Sequence, residues 1–242
     1  MKNLKFEIIL VYYKRPKMVL NALNSIKSLN YDNWHLSFID DSGDDSFKGS
    51  LFSFGLESSK ISYIPVMMND EEKIKIGGSV FGKFINEAIK KTDSDIIILL
   101  CDDDALMPNY LNDLNDFYGK NPQEVWAYCH VKFFNPEVES YEKATLIPWS
   151  KVFNTSNLNA YKERIYPSCR VDSSQVSFKK RAFMESNRWF PFPQTKDLDR
   201  SIFEKFSTFW GTCPFANCYG QYKGWFENQL GYRHKIKGSD FL

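Results

Sequence analysis

The sequence predicts an α/β protein with a mostly parallel central sheet flanked by helices and an irregular, aromatic-rich C-terminal part. Three observations predict it. Apolar strand patterns alternate with amphipathic helix patterns through the first half of the chain. Acidic residues gather where the predicted strands end. No repeat and no Pro/Gly/Ser-rich linker divides the 242 residues. Strict strand–helix alternation favours parallel strands joined by right-handed crossovers, and such sheets bind ligands at the carboxyl ends of their strands.

The elements follow in order. Phe6 to Tyr12 (FEIILVY) reads as a buried strand. Pro16 suits the first turn of the next helix, where its missing N–H is no loss. Val19, Ala22, Leu23, Ile26 and Leu29 recur along that helix at helical spacing. Trp34 to Asp40 (WHLSFID) alternates into a second strand that runs into two carboxylates, Asp40 and Asp41. After a polar, Gly-containing stretch, Ile61 to Val66 predicts a short strand. Val80, Phe81, Phe84, Ile85, Ala88 and Ile89 mark another amphipathic helix. Asp95 to Cys101 (DIIILLC) has the composition of a strand buried on both faces. Pro108 restarts a helix carrying Leu111, Leu114 and Phe117. The second half, interrupted by Pro136, Pro148, Pro167, Pro191, Pro193 and Pro214, is expected to continue the same domain as the other wall of a cleft.

Composition removes several classes of function. Lys and Arg total 31 against 30 Asp and Glu, so no net charge draws the chain to nucleic acid or an anionic membrane. The longest aliphatic run, Ile96 to Leu100, is far short of a transmembrane segment. The stretch after Lys2 and Lys5 is too short for a signal peptide, so a cytoplasmic location is expected. Cysteines at 101, 129, 169, 213 and 218 are odd in number and irregularly spaced, against a disulfide framework or a zinc knuckle. His35, His130 and His234 form no metal-binding pattern.

The chemically loaded residues stand at predicted strand ends: Tyr12 and Tyr13 after the first, Asp40 and Asp41 after the second, Asp102 to Asp104 after 95–101. Three consecutive carboxylates repel one another unless a cation offsets them. Oxygen ligands of this kind suit Mg²⁺ or Mn²⁺ bound together with substrate phosphates. The competing structural roles are a helix cap near Pro108 for one of the three, and a plain turn for Asp40-Asp41-Ser42-Gly43.

In that order, VYYKRP, IDDSGDD and LLCDDDALMPNYL resemble the N-terminal half of family 2 glycosyltransferases with the GT-A fold, over roughly residues 6 to 118. The family's usual strings are a PTYNRP-like first turn, VVDDGSxD, and LDxDDxxxPxxL. Gly78-Ser79 and Gly82 to Ala88 also resemble its Gly/Asn helix before the acidic strand. The resemblance implies one domain over residues 1–242, with 1–118 binding a nucleotide-diphosphate sugar donor, a UDP-sugar by preference, and 119–242 binding a carbohydrate or glycoconjugate acceptor. It implies metal-dependent, inverting transfer of a hexosyl or deoxyhexosyl group. Tyr12 and Tyr13 would line the base and ribose pocket, with Val11 and Arg15 in the same turn. Asp40 or Asp41 would accept a hydrogen bond from the base. Asp102 would lie near the ribose or diphosphate, and Asp103 with Asp104 would hold Mn²⁺ or Mg²⁺. Two positions depart from the pattern: Cys101 stands at the string's first acidic position, and Tyr12-Tyr13-Lys14 replaces Thr-Tyr-Asn.

In the second half, Arg170 to Arg181 resembles the strand that precedes a short helix in this family. Thr195 to Phe203 falls where the family carries Glu-Asp at a helix start, which implies Asp197 as the catalytic base; an N-terminal acid favourable to the helix dipole is the alternative. Arg233 and His234 are candidates for contact with the diphosphate or metal. Two other functions compete: a sugar-nucleotide-binding module without turnover, and a sugar nucleotidyltransferase. The latter would want a Gly-rich loop near the N-terminus, and VYYKRP has no glycine.

Overall fold

The computed structural model describes residues 3–76, 80–135, 140–146, 176–185, 190, 206, 210 and 215–223. Its centre is β1 (Phe6–Tyr12), β2 (Trp34–Asp40), β3 (Ile61–Pro65) and β4 (Ile96–Cys101). These four are parallel in the order β3-β2-β1-β4, with Tyr12 level with Asp40 and Val11 level with Cys101. The ends of β1, β2 and β4 therefore share one edge, as the sequence predicts. The ladder continues past them: the Asp41 N–H donates to the Tyr12 carbonyl and the Val66 N–H to that of Asp40, each at 2.8 Å.

The crossovers are helical. In α1 (Pro16–Lys27) Pro16 opens the helix, and Val19, Ala22, Leu23 and Ile26 are buried. Two six-residue helices, α2 (Lys48–Ser53) and α3 (Asp70–Lys75), occupy stretches that sequence periodicity leaves without a helix. Neither is long enough to repeat an apolar stripe. What sets α3 is a capping box: the Glu72 N–H donates to Asn69 Oδ1 at 3.0 Å, and the Asn69 N–H to Glu72 Oε2 at 2.8 Å. Next, α4 (Phe81–Lys91) buries Ile85, Ala88 and Ile89, and α5 (Tyr110–Lys120) buries Leu111 and Leu114.

The rest of the sheet is mixed. A two-residue strand, β5 (Ala105–Leu106), pairs antiparallel with the late β9 (Phe215–Lys223). The long β6 (Trp126–Asn135) carries β7 (Ser140–Leu146) antiparallel and lies parallel to β9. Between β4 and β6 runs β8 (Val176–Lys179), antiparallel to both, and the short α6 (Lys180–Glu185) follows it. That strand lies within the Arg170–Arg181 stretch that the sequence marks for it, and the short helix starts at its end.

Strand alternation divides the core into two layers. Phe6, Ile8, Leu10, Ile96, Ile98 and Leu100 face α1 and α5, whereas Ile9, Ile39, Ile97 and Leu99 face α4 and α6. Burying each such side chain contributes about 1.5–3 kcal/mol, so this double-sided core holds the strand ends in fixed register. A carboxylate, Glu7, is enclosed beside it. Glu7 is fully buried, accepting from Ser37 Oγ at 2.6 Å and Ser94 Oγ at 3.2 Å, with His35 Nδ1 2.9 Å away. No helix among the described residues is long and apolar enough to cross a membrane.

Candidate functional site

The first turn leaves β1 through Lys14, whose φ of 52° lies in the left-handed region. That backbone turn directs the next main-chain and side-chain donors at the end of β4. The Tyr13 N–H donates to Asp102 Oδ2 at 3.0 Å, and Arg15 Nε donates to the same oxygen at 3.2 Å. The Arg15 guanidinium also pairs with Asp102 Oδ1, and its Nη1 donates to Asp103 Oδ2 at 2.8 Å. Asp102 is thus enclosed, with both oxygens engaged. Burial pushes its carboxyl up to about 7, while Arg15 pulls the other way. Burial also works against the Arg15 charge, but Asp102 and Asp103 outweigh it and hold the guanidinium above its ordinary range. The acidic cluster therefore carries an internal cation.

At the end of β2 the two aspartates differ sharply. Asp40 is fully buried; its Oδ1 accepts from the Ser42 N–H at 3.1 Å and from the Ser42 hydroxyl, and its Oδ2 from Tyr63 Oη at 2.8 Å. Asp41 faces Lys73 instead. Lys73 Nζ lies 3.0 Å from Asp41 Oδ1 and donates to the Asp41 carbonyl at 2.5 Å, yet Oδ1 accepts no hydrogen bond among the described residues. Burial raises the Asp41 carboxyl and Lys73 opposes that rise.

Helix α3 closes this side. Tyr13 Oη donates to Asp70 Oδ1 at 3.0 Å, and Lys14 Nζ donates to Asp70 Oδ2 at 2.6 Å. Lys73 Nζ sits 5.0 Å from the centre of the Tyr13 ring, within cation–π range. Gly43 permits the close approach of the segment leading into α3. Its φ is +89°, and a Cβ there would meet the Met68 carbonyl oxygen at 2.9 Å.

Val11, Tyr12, Tyr13, Arg15, Asp40, Asp41 and Asp102 to Asp104 thus share the edge expected of them. Tyr12 contributes main chain rather than ring: the ring is enclosed, 4.7 Å from Phe47 and 5.7 Å from Phe38 between centroids. Asp197, Arg233 and His234 lie outside the described residues, as do Gly78 and Ser79. Sequence reasoning missed Lys73, Asp70 and Tyr63 as parts of this edge. The Asn69-Asp70-Glu71-Glu72 run is a capping signature that could have revealed α3, but nothing local announces that Lys73 is buried.

A further grouping lies at the end of β4. The Asp104 N–H donates back to the Cys101 carbonyl at 3.1 Å, a tight turn that folds the acids over the strand end. Cys101 Sγ and one carboxylate oxygen each from Asp103 and Asp104 lie within 4.8 Å of one another. Such a trio can converge on one ion once the side chains close in to metal–ligand bonds of about 2.0–2.3 Å. The donor set fits a divalent cation, and Asp102, held by Tyr13 and Arg15, is not in it.

The sequence model for "Glycosyl transferase family 2" matches residues 7–218. The chain belongs to that family. Among curated proteins, Protein CgeD of Bacillus subtilis (strain 168) is 24% identical over 128 residues, 53% of this chain and 29% of CgeD. Among solved structures, S. aureus TarS 1-349 has a TM-score of 0.64 at 16% identity, covering 95% of this chain and 62% of that one. TarS 1-349 in complex with UDP gives 0.65 at 16%, over 90% of this chain and 60% of that one. The complex with UDP-GlcNAc gives 0.61 at 15%, over 90% and 58%. This family 2 chain spans less than two thirds of each of these proteins, and at such identities the structures establish the shared GT-A-like fold.

Proposed function

We propose that this chain moves a sugar from a nucleotide-diphosphate sugar, a UDP-sugar by preference, to a hydroxyl of a carbohydrate or glycoconjugate acceptor with inversion. The observation that carries the reading is the shared edge itself. In a family 2 fold, a braced acidic cluster, a guanidinium and Asp41 meet where β1, β2 and β4 end. Structural neighbours of the same fold were solved with UDP and with UDP-GlcNAc.

Each residue then has a task. Asp41 accepts the N3–H of the uracil, because Asp40 has already committed both oxygens to Ser42 and Tyr63. The half-buried Tyr13 forms one wall of the base pocket, its hydroxyl tied to Asp70. Arg15 holds the end of β4 in place through Asp102 and balances charge beside the leaving diphosphate. Asp103 and Asp104 would hold the cation, which when bound offsets the charge that grows on the leaving diphosphate. The acceptor oxygen attacks the anomeric carbon opposite the diphosphate, and the bond from that carbon to the β-phosphate oxygen breaks. In this reading Asp197, from the acceptor half, takes the hydroxyl proton, and Arg233 and His234 stand near the diphosphate.

A panel of nucleotide sugars with Mn²⁺ and mixed acceptors, followed by an assay for released UDP, tests the reading. Acceptor-dependent UDP release supports it. Tight donor binding with no release under any acceptor would instead favour a binding module.

A further inference from the structure

We propose that Cys101 is a ligand of the cation in this site, so that the chain binds borderline divalent ions through a thiolate and two carboxylates. The inference rests on the reading above for the site's purpose, but on separate observations for its chemistry. The family's acidic string begins with a carboxylate where this chain has a thiol. That thiol faces the cluster: its sulfur and the Asp103 and Asp104 oxygens form a trio within 4.8 Å, held by the Cys101–Asp104 turn. Asp102 lies outside that trio, its oxygens engaged by Tyr13 and Arg15, while Asp103 shares Arg15 through Oδ2. Cys101 is also the half-exposed member of the described thiols, whereas Cys129 and Cys218 are buried.

A sulfur donor changes which ions the site favours. Mg²⁺ prefers oxygen ligands and gains nothing from a thiolate, whereas Co²⁺ and Zn²⁺ accept both sulfur and carboxylate oxygen. Binding replaces the thiol proton with the metal–sulfur bond, so one proton is released to solvent as the ion enters. The expected order of affinity is Zn²⁺ and Co²⁺ above Mn²⁺, with Mg²⁺ last. A carboxylate at this position would narrow that spread.

The test is a Co²⁺ titration of the whole chain watched in the near ultraviolet, where a thiolate bound to cobalt gives a charge-transfer band. The band should appear in the wild type, vanish in Cys101→Ser, and vanish in Cys101→Asp. In Cys101→Asp the preference for Zn²⁺ over Mg²⁺ should shrink by at least the roughly 10–100-fold that losing a supporting outer partner costs. Without any substitution, Cd²⁺ should protect Cys101 from alkylation, read by peptide mapping. A band that is absent, or that persists in Cys101→Ser, overturns the proposal, as does Cys101 alkylation unaffected by Cd²⁺. Calorimetry with UDP on the same samples separates the two claims. A Cys101-dependent band without UDP binding supports the thiolate site while counting against the transferase reading. UDP binding with Mn²⁺ but no band overturns the thiolate ligand alone.

Discussion

Lys73 Nζ lies 3.0 Å from Asp41 Oδ1, and both side chains are almost fully buried. The pair joins α3 to the end of β2 beneath the Tyr13 ring. Removing one member of a buried pair leaves an uncompensated charge, which costs roughly 3–5 kcal/mol. Lys73→Met should therefore destabilise the fold, with a definite pH dependence. Burial already raises the Asp41 carboxyl and Lys73 holds the rise in check. Without Lys73 the folded-state value climbs further above the unfolded one, so the neutral acid becomes the favoured native form. Stability is then fully present below the ordinary carboxylate range and is lost as pH rises through the raised value. Urea unfolding of Lys73→Met should show less destabilisation at acidic than at neutral pH, and an equal loss at both would contradict the pairing.

The two aspartates at the end of β2 should separate by experiment. Asp41→Ala should weaken UDP by one to two powers of ten, from the roughly 1–3 kcal/mol of a lost buried acceptor, and, because it strands the buried Lys73, should cost stability as well. Asp40→Ala strands the Ser42 and Tyr63 donors, so its main effect should be on stability, by a similar amount. Calorimetry with UDP and a denaturation curve for each variant check the division. Equal UDP affinity for Asp41→Ala and wild type would place the base elsewhere.

The left-handed backbone at Lys14 predicts an unusual tolerance. Asn accepts that conformation readily, and a β-branched residue does not. Lys14→Asn gives up an exposed ion pair with Asp70 worth about 0–1 kcal/mol, so its stability should stay close to wild type. Lys14→Val should lose about 1–3 kcal/mol. Similar unfolding midpoints for the two variants would show that the turn is not held in this conformation.

Asp197→Asn keeps the shape of the side chain but cannot take a proton. In the proposed reaction, transfer falls by roughly 10²–10⁴ while UDP-sugar affinity changes little. Steady-state rates and donor binding on one preparation check this. Near-normal transfer by Asp197→Asn alongside an inactive Asp199→Asn, at the other acid of the Thr195–Phe203 stretch, would move the role two residues on, and a product retaining the donor's configuration would remove it.

Much of this arrangement was legible in the residues because its signals are periodic or local. FEIILVY and DIIILLC are apolar runs and WHLSFID alternates, and each became a parallel strand ending at the shared edge. The first helix announced itself through Pro16 and its apolar stripe. What escaped depends on contacts distant in sequence. Lys73 reads as one more charge in a polar stretch, and its burial follows only once α3 packs over Asp41. Asp40 and Asp41 are indistinguishable as a dipeptide; Tyr63, 23 residues away, is what sets them apart. The family resemblance implies a pocket role for Tyr12, but strand alternation turns its ring to the inner face beside Phe38 and Phe47. Apart from β8, the mixed half of the sheet escaped for a related reason, since β5 has two residues and finds its partner in β9 more than a hundred positions later.

The most direct measurement is a crystal structure of the chain with UDP and Mn²⁺, with the manganese located by its anomalous signal. Uracil is expected beside Asp41 and Tyr13, the diphosphate above the end of β4, and a manganese peak against Asp103 and Asp104. Nucleotide density away from the ends of β1, β2 and β4, or a manganese peak remote from residues 101–104, would contradict it.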